Sequence, residues 1–246
     1  MRILVFGVGN WNTQEEAESI RDDLIEWNNR INAFLGNPKI FIASGTYSDP
    51  MFNPLNIDLV QIGLHKKKEY SKKWNYFQVG FLSGLYHSLF NPDWDILIHC
   101  QCRTFIGIDM IPLIEEFSKR KEQVCALSWM CTSGKIPETG FLAMKPDAVK
   151  KIVTQTTRTP LSENDNEINS EDDLADLFHN NWWNPYPNIM TIRKDGKYNG
   201  FDDETKIDMN TFLNLPIVAG TVHCHREELK SWCEKHPIPA PIGRIV

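Results

Sequence analysis

Two segments near the start of the chain combine residue types that bind phosphate groups. Gly7 and Gly9 follow a β-rich amino-terminal run, and glycines after a strand let the backbone approach an anion closely. Five lysines crowd positions 66–73 just before a predicted helix, and Lys73 is the last of them. Because N–H groups at a helix N-terminus also favour anions, Lys73 is a candidate pyrophosphate ligand. The simpler interpretation of Gly7 and Gly9 is a tight turn, and that of the lysine run is a solvated basic face.

The glycine pattern is not a complete dinucleotide-binding fingerprint. Asn12 stands where the third glycine would be, and that glycine permits close packing of helix on strand. This argues against a nicotinamide-binding domain but leaves nucleotide contact from the turn open.

A tryptophan pair in the second half of the chain could bind a sugar. Trp182 and Trp183 precede a proline-rich stretch and fall in a predicted loop. Sugars stack their apolar C–H faces on aromatic rings, and loops often carry binding residues. The pair is therefore a candidate sugar-binding site; the alternative is a loop that covers the core.

The strand predicted at 95–99 and the residues after it carry a family resemblance. With the helix before it and Ile111–Phe117 after it, this stretch resembles the centre of nucleotide-sugar glycosyltransferases of the GT-A fold. In that family an Asp-x-Asp motif at the end of the strand binds a divalent cation that holds the donor diphosphate. The resemblance covers about 1–235 and is best from Trp74 to Val149.

The motif is degenerate in this chain, because its positions are occupied by Gln101, Cys102 and Arg103. In one interpretation Arg103 replaces the cation, since a guanidinium neutralises phosphate oxygens and binds them bidentately. In another, catalysis has been lost and the domain only binds a sugar nucleotide. We favour the first.

Two other ligand sets near this strand are disfavoured. A soft metal site of His99, Cys100 and Cys102 conflicts with strand geometry, because adjacent residues point to opposite faces. Asp93-Trp94-Asp95 spells the motif but precedes the strand. We therefore expect its carboxylates to serve turn and cap roles at the far edge of the sheet.

The resemblance implies roles for further residues. The donor would be contacted by Gln101, Arg103, Thr139 and Gly140. For Thr139 and Gly140 the alternative is simply a glycine that lets a strand start. Asp172, with Glu171 or Asp173 as alternatives, would be the general base of an inverting transfer, although helix capping also explains three acids in a first turn. His223 and His225 are candidate ligands of a metal, Mn²⁺ or Mg²⁺, or of the donor phosphate; the alternative is a structural or exposed histidine pair.

Strands and helices alternate through the first ~150 residues, which predicts an α/β fold with a mostly parallel central sheet flanked by helices. Ligands bind such sheets beyond the carboxyl ends of the strands. Apolar spacing predicts helices from Thr13 to Phe34 and from about Lys72 to Phe90, and Pro146 marks the start of a helix from Lys145. Further helices are predicted from Asp109 to about Lys121, at Glu171–Asn180 and at about Arg226–Lys235. We expect one domain spanning 1–246, with a donor half at about 1–103 and an acceptor half at about 104–246.

Composition limits the possible partners. The 246 residues carry a net charge of −6, which disfavours general nucleic-acid binding. No apolar run approaches the ~20 residues of a membrane span, and six cysteines without a CxxC pair suggest reduced thiols in the cytoplasm. The predicted partners are a nucleotide-sugar donor and a glycan or small hydroxyl acceptor. A nucleotidyltransferase is disfavoured because the first loop lacks the basic residue that this class would require.

Overall fold

A computed structural model describes residues 1–9, 13–44, 57–61, 73–126, 140–156, 189–192, 198–200, 217–219 and 226–239. The first elements are β1 (Ile3–Val8), α1 (Gln14–Phe34), β2 (Lys39–Ser44), β3 (Asp58–Gln61), α2 (Lys73–Phe90), β4 (Ile96–Cys100) and β5 (Thr104–Ile106). They are followed by α3 (Ile111–Lys119), β6 (Val124–Ala126), β7 (Phe141–Met144), α4 (Pro146–Thr156), β8 (Ile189–Ile192), β9 (Tyr198–Gly200), β10 (Ile217–Ala219) and α5 (Arg226–Lys235).

Within these ranges, eight strands form one sheet in the order β3-β2-β1-β4-β7-β6-β8-β9. β1 is parallel to both of its neighbours, and Phe6 pairs with Phe41 of β2 and with His99 of β4. β7 is antiparallel to β4 and β6, and β9 is antiparallel to β8. The other six strands run in one direction, which confirms the predicted mostly parallel sheet. The two reversals were not predicted.

Helices cover both faces of the sheet, because its central strands are apolar on both sides. On one face Val5 and Cys100 belong to a buried cluster with residues of α1 and α3 and with Trp232 of α5. On the other face Phe6 and Leu97 pack with residues of α2 and α4. The alternation of side chains along β1 and β4 therefore divides the core into two layers.

α1 follows its predicted pattern. It begins at Gln14, directly after Thr13, and ends at Phe34. Its buried apolar residues recur at three- and four-residue spacing: Leu24, Trp27, Ile31 and Phe34. Gly36 and Asn37 then adopt positive φ angles of 71° and 53°. These left-handed conformations end the helix and turn the chain into β2.

α2 packs closely against the sheet, as the spacing of Gly80 and Gly84 predicts. Both glycines are buried. A Cβ atom at position 84 would overlap the ring of Phe6 in β1. At Gly84 the lack of a side chain therefore lets the helix approach β1.

Two elements, α3 and β5, differ from what the sequence predicts. α3 starts at Ile111 and not at Asp109, because the Asp109 carboxylate accepts a hydrogen bond from the Ile111 N–H at 2.9 Å and so lies outside the helix. β5 pairs with β10 in a separate antiparallel sheet. Strands of three residues are too short to show a period in the sequence.

The helix predicted at 171–180 lies outside the described residues. Among the helices that are described, none combines the length and the apolar character needed to cross a membrane.

Candidate active site at the carboxyl edge of the sheet

Three segments meet where β1 and β4 end and β7 begins. The Gly9 N–H donates a 3.0 Å hydrogen bond to the Ala43 carbonyl, which joins the ends of β1 and β2. The Gln101 N–H donates a 2.9 Å hydrogen bond to the Gly140 carbonyl, which joins the residue after β4 to the residue before β7. Because β7 is antiparallel to β4, Gly140 lies at the same edge. The structure therefore brings together the predicted donor residues Gly9, Gln101 and Gly140.

The chain leaves β4 in a tight turn. The Thr104 N–H donates to the Gln101 carbonyl at 2.8 Å, so Cys102 and Arg103 occupy the two corner positions. The Cys100 thiol donates to the Thr104 carbonyl at 3.6 Å beneath the turn. Arg103 is exposed, whereas Gln101 and Cys102 are half-buried. Arg103 is therefore accessible to a ligand in solution.

Gly7 differs from the other predicted donor residues in being packed into the core. It is buried, and a Cβ at this position would lie 2.7 Å from the Cys102 sulfur and 3.3 Å from Trp27. Contact between Gly7 and a donor therefore stays a prediction. What the structure shows is that Gly7 lies close to the Cys102 sulfur.

The turn supplies no carboxylate, and the thiols around it are neutral. Burial, with a smaller contribution from neighbouring Cys100, raises the pKa of the Cys102 thiol well above its usual range. Burial also raises the pKa of Cys100 to about 12. A thiolate, not a thiol, is the usual metal ligand and nucleophile. With no metal bound, both thiols are therefore protonated at neutral pH and are poor nucleophiles.

His99 and Cys100 point to opposite faces of β4, as strand geometry predicts. The His99 ring lies 4.8 Å from the Phe6 ring and 5.1 Å from the Phe81 ring, centroid to centroid. Cys100 belongs to the cluster on the other face. Over the described ranges, no three His, Cys, Asp or Glu residues are grouped so that they could hold a metal ion.

Asp93 and Asp95 lie at the opposite edge of the sheet, before β4. Both carboxylates form ion pairs with Arg2, and the Asp95 pair measures 3.0 Å. The Arg2 hydrogen bonds hold the pKa of Asp95 below its ordinary value. These carboxylates tie the chain start to β4 and lie away from the edge where Arg103 is exposed.

Several predicted residues lie outside the described ranges, namely Thr139, Glu171, Asp172, Asp173, Trp182, Trp183, His223 and His225. Lys73 is the first residue of α2, and the structure describes its backbone but not its side chain. Acceptor binding, base catalysis and the histidine metal site therefore stay predictions.

Comparison with known proteins gives similarity at the level of the fold. No protein-family model matches the chain, and no curated protein matches it. The solved galactosyltransferase LgtC, in complex with donor and acceptor sugar analogues, is similar with a TM-score of 0.50 at 9% identity, over 79% of this chain and 74% of that one.

Two further structures score lower. The 4-diphosphocytidyl-2C-methyl-D-erythritol synthase of Anaerococcus prevotii DSM 20548 has a TM-score of 0.49 at 10% identity, covering 85% of this chain and 94% of that one. A glycosyltransferase involved in glycosylation of the major capsid of PBCV-1 has a TM-score of 0.44 at 9% identity, covering 78% and 81%. At such identities only the fold is comparable. The similarity to LgtC confirms the predicted GT-A fold.

Proposed function

We propose that this protein is a glycosyltransferase that moves a sugar from a nucleotide-diphosphate donor to a hydroxyl of a glycan or small acceptor. The observation that carries the proposal is the exposed Arg103 at the corner of the turn after β4, in a GT-A fold. In open α/β sheets, this edge is where ligands bind. The turn stands where the metal-binding motif would stand in the family that the sequence resembles.

The proposed role of Arg103 is to neutralise the leaving diphosphate. Negative charge develops on the diphosphate as its bond to the sugar breaks, and a fixed cation at that point lowers the barrier. A guanidinium is always charged and binds phosphate oxygens bidentately. Lys73 and the N-terminus of α2 would add further positive potential. The proposed donor site also includes Gly7, Gly9, Gln101, Thr139 and Gly140.

The acceptor side of the proposal rests on the sequence. Asp172 would take the proton of the acceptor hydroxyl as its oxygen attacks the anomeric carbon, with Glu171 and Asp173 as the alternatives. A single displacement of this kind inverts the configuration at that carbon. Trp182 and Trp183 would stack on the acceptor sugar. His223 and His225 would be the ligands if the enzyme uses Mn²⁺ or Mg²⁺.

The first test is binding of nucleoside diphosphates and sugar nucleotides, measured as a thermal shift with and without EDTA. A ligand at 100 times its Kd stabilises the folded state by about 2.7 kcal/mol. We expect at least one nucleotide to raise Tm, and EDTA to leave the shift in place. If no nucleotide raises Tm, the proposal is wrong. If EDTA abolishes the shift, Arg103 does not replace a metal.

The role of Arg103 is tested by Arg103→Ala and Arg103→Lys. We expect the alanine variant to weaken nucleotide diphosphate binding by roughly tenfold or more, since charged hydrogen bonds contribute about 1.5–3 kcal/mol. The lysine variant keeps the charge but loses the bidentate geometry, so its loss should be smaller. Arg21→Ala, on the exposed face of α1, is the matched control. Equal affinity of Arg103→Ala and the control would exclude Arg103 from the donor site.

Product analysis separates the alternative functions. A glycosyltransferase releases a nucleoside diphosphate when an acceptor is added, and Asp172→Asn should lose turnover but keep donor binding. An inactive sugar-nucleotide-binding domain would bind the donor without releasing product. A nucleotidyltransferase would instead form pyrophosphate from a nucleoside triphosphate and a sugar phosphate.

A further inference from the structure

The sulfur atom of Cys102, in the turn after β4, lies close to Gly7 of β1. A Cβ at position 7 would lie 2.7 Å from the Cys102 sulfur, 3.3 Å from the Cys100 carbonyl oxygen and 3.3 Å from the Trp27 ring. The first distance is shorter than carbon and sulfur can approach without overlap. The Cys102 thiol therefore occupies the space that any side chain at position 7 would need.

The other contacts of this turn hold its ends. The Gln101 N–H bonds to Gly140 before β7, and the Thr104 N–H closes the turn onto the Gln101 carbonyl. The Cys102 thiol instead anchors the corner, where it meets the end of β1. Its high pKa, caused first by burial, keeps the thiol neutral and suited to packing in the core.

Arg103 is the next residue at the same corner, and it is exposed. Because Cys102 and Arg103 are adjacent corner residues of one short turn, a displacement of Cys102 would move the Arg103 backbone with it. We infer that the contact between Gly7 and Cys102 is a positioning device that sets the placement of Arg103 against the donor diphosphate.

This inference rests on the proposed function. It assigns Cys102 a role through Arg103, and it assigns Gly7 the same role in addition to its proposed place in the donor site. Cys102 is a positioning residue and not a ligand. Gly7 has no side chain and so leaves room for the Cys102 sulfur. Hydrogen bonds weaken steeply as their distance and angle depart from the ideal, so a small shift of the turn should measurably weaken binding of the diphosphate.

The test is a double-mutant cycle of the wild type, Gly7→Ala, Cys102→Ala and the double variant. Kd is measured for uridine, guanosine, cytidine, adenosine and thymidine diphosphates. Gly7→Ala should push the turn outwards and raise Kd by up to the roughly tenfold loss that removal of the Arg103 side chain causes. Adding Cys102→Ala removes the overlap and should return Kd to within about threefold of the Cys102→Ala value, a coupling that independent residues would not show.

A second measurement reports the contact without a nucleotide. Labelling by iodoacetamide, mapped to Cys102 by mass spectrometry, should be slow in the wild type, because the half-buried thiol packs against Gly7 and its raised pKa leaves little thiolate. It should be about tenfold faster in Gly7→Ala, where that contact is disrupted. Should Gly7→Ala fail to fold, Cys102→Val enlarges the opposite side of the contact. We expect Cys102→Val to weaken nucleoside diphosphate binding more than Cys102→Ser does, because serine is nearly the size of cysteine.

Cys125→Ala is the matched control, since it removes a buried thiol from β6, away from the turn. It should lower Tm without changing Kd for the nucleotide. Additive effects of Gly7→Ala and Cys102→Ala on Kd would overturn the inference. If the wild type binds none of the diphosphates, the proposed function is wrong. Equal labelling of Cys102 in the wild type and in Gly7→Ala would show that the contact does not hold the turn, and would overturn the inference.

Discussion

Arg30 is a buried cation that joins three parts of the chain. Its Nη1 donates to the carbonyls of Ile106 at 2.9 Å and His236 at 2.8 Å, and its Nε bonds to Glu26 at 2.7 Å. The guanidinium also lies 5.1 Å from the Trp232 ring. Sequence reasoning did not single out this residue, although its position three after Trp27 places it beside the apolar stripe of α1.

We predict that Arg30→Met destabilises the protein by about 3 kcal/mol, because it removes the donor to the buried Ile106 carbonyl and to the part-buried His236 carbonyl and breaks the ion pair with Glu26. Arg30→Lys should fall between methionine and wild type, since one ammonium cannot reproduce the guanidinium contacts. Urea unfolding measures both. Arg21→Met, on the exposed face of the same helix, is the control, with an expected change within about 0.5 kcal/mol. Equal stability of Arg30→Met and the control would contradict this role.

The ion pair between Glu122 and Arg120 makes the free energy of unfolding depend on pH. Its carboxylate oxygens lie 3.3 Å from Nε and 3.3 Å from Nη2 of Arg120. Burial alone would raise the pKa of Glu122, but the hydrogen bonds from Arg120 and from the backbone outweigh it, and the pKa is lowered. A carboxylate with a lowered folded-state pKa stabilises the fold above its unfolded pKa.

We therefore expect the Glu122 contribution to be present at neutral pH and to be lost as the pH falls below about 4.5 towards the lowered pKa. Glu122→Gln should be less stable than wild type at pH 7, and the difference should shrink in acid. Urea unfolding at several pH values measures it, with exposed Glu115→Gln as the control. A difference that stays constant with pH would rule out this linkage.

At the scale of elements, the contact between α2 and β1 depends on Gly84. The Phe6 ring beneath it stacks on Phe41 with a centroid distance of 5.5 Å and contacts Phe81 at 5.9 Å and His99 at 4.8 Å. A ring held on several sides cannot move away from an added methyl group. Close packing therefore outweighs the low helix propensity of glycine at this position.

Gly84→Ala should destabilise the protein by about 2 kcal/mol net, because an overpacking penalty near 3 kcal/mol exceeds the propensity gain of about 1 kcal/mol. Thermal and urea unfolding measure the change. Ser83→Ala, at the neighbouring half-buried position, is the control. A Gly84→Ala protein as stable as wild type would show that α2 can move away from β1.

At the scale of the whole molecule, the last described helix returns to the first. Trp232 of α5 is 5% exposed, and the carbonyls of Cys233 and His236 accept hydrogen bonds from Arg30. α5 therefore completes the layer that α1 and α3 form on one face of the sheet.

We predict that a chain ending at residue 225 loses about 3–5 kcal/mol of stability, comparable to truncating a buried tryptophan. The free energy of unfolding in urea is the measurement. A chain ending at residue 239, which keeps α5 and its Arg30 contacts, is the control and should unfold nearer to the wild type. Equal unfolding midpoints of the two shortened chains would mean that α5 adds nothing to the core.

The sequence alone determined the features that depend on neighbours along the chain. Apolar spacing and the Gly36 stop predicted α1, alternation placed His99 and Cys100 on opposite faces, and the order of elements predicted a mostly parallel sheet. The position of Arg103 after β4 could also be read from the residues and the family resemblance. Each of these follows from local periodicity or from the direction of one strand.

Only the tertiary structure decided which distant segments meet. It made β7 antiparallel, so that Gly140 lies beside Gln101, and it paired β5 with β10. It also placed Cys102 against Gly7 and Arg30 against α5. These contacts join residues far apart in the chain, and local periodicity carries no information about strand pairing or close approach between elements. They form only when both partners are packed into the same core.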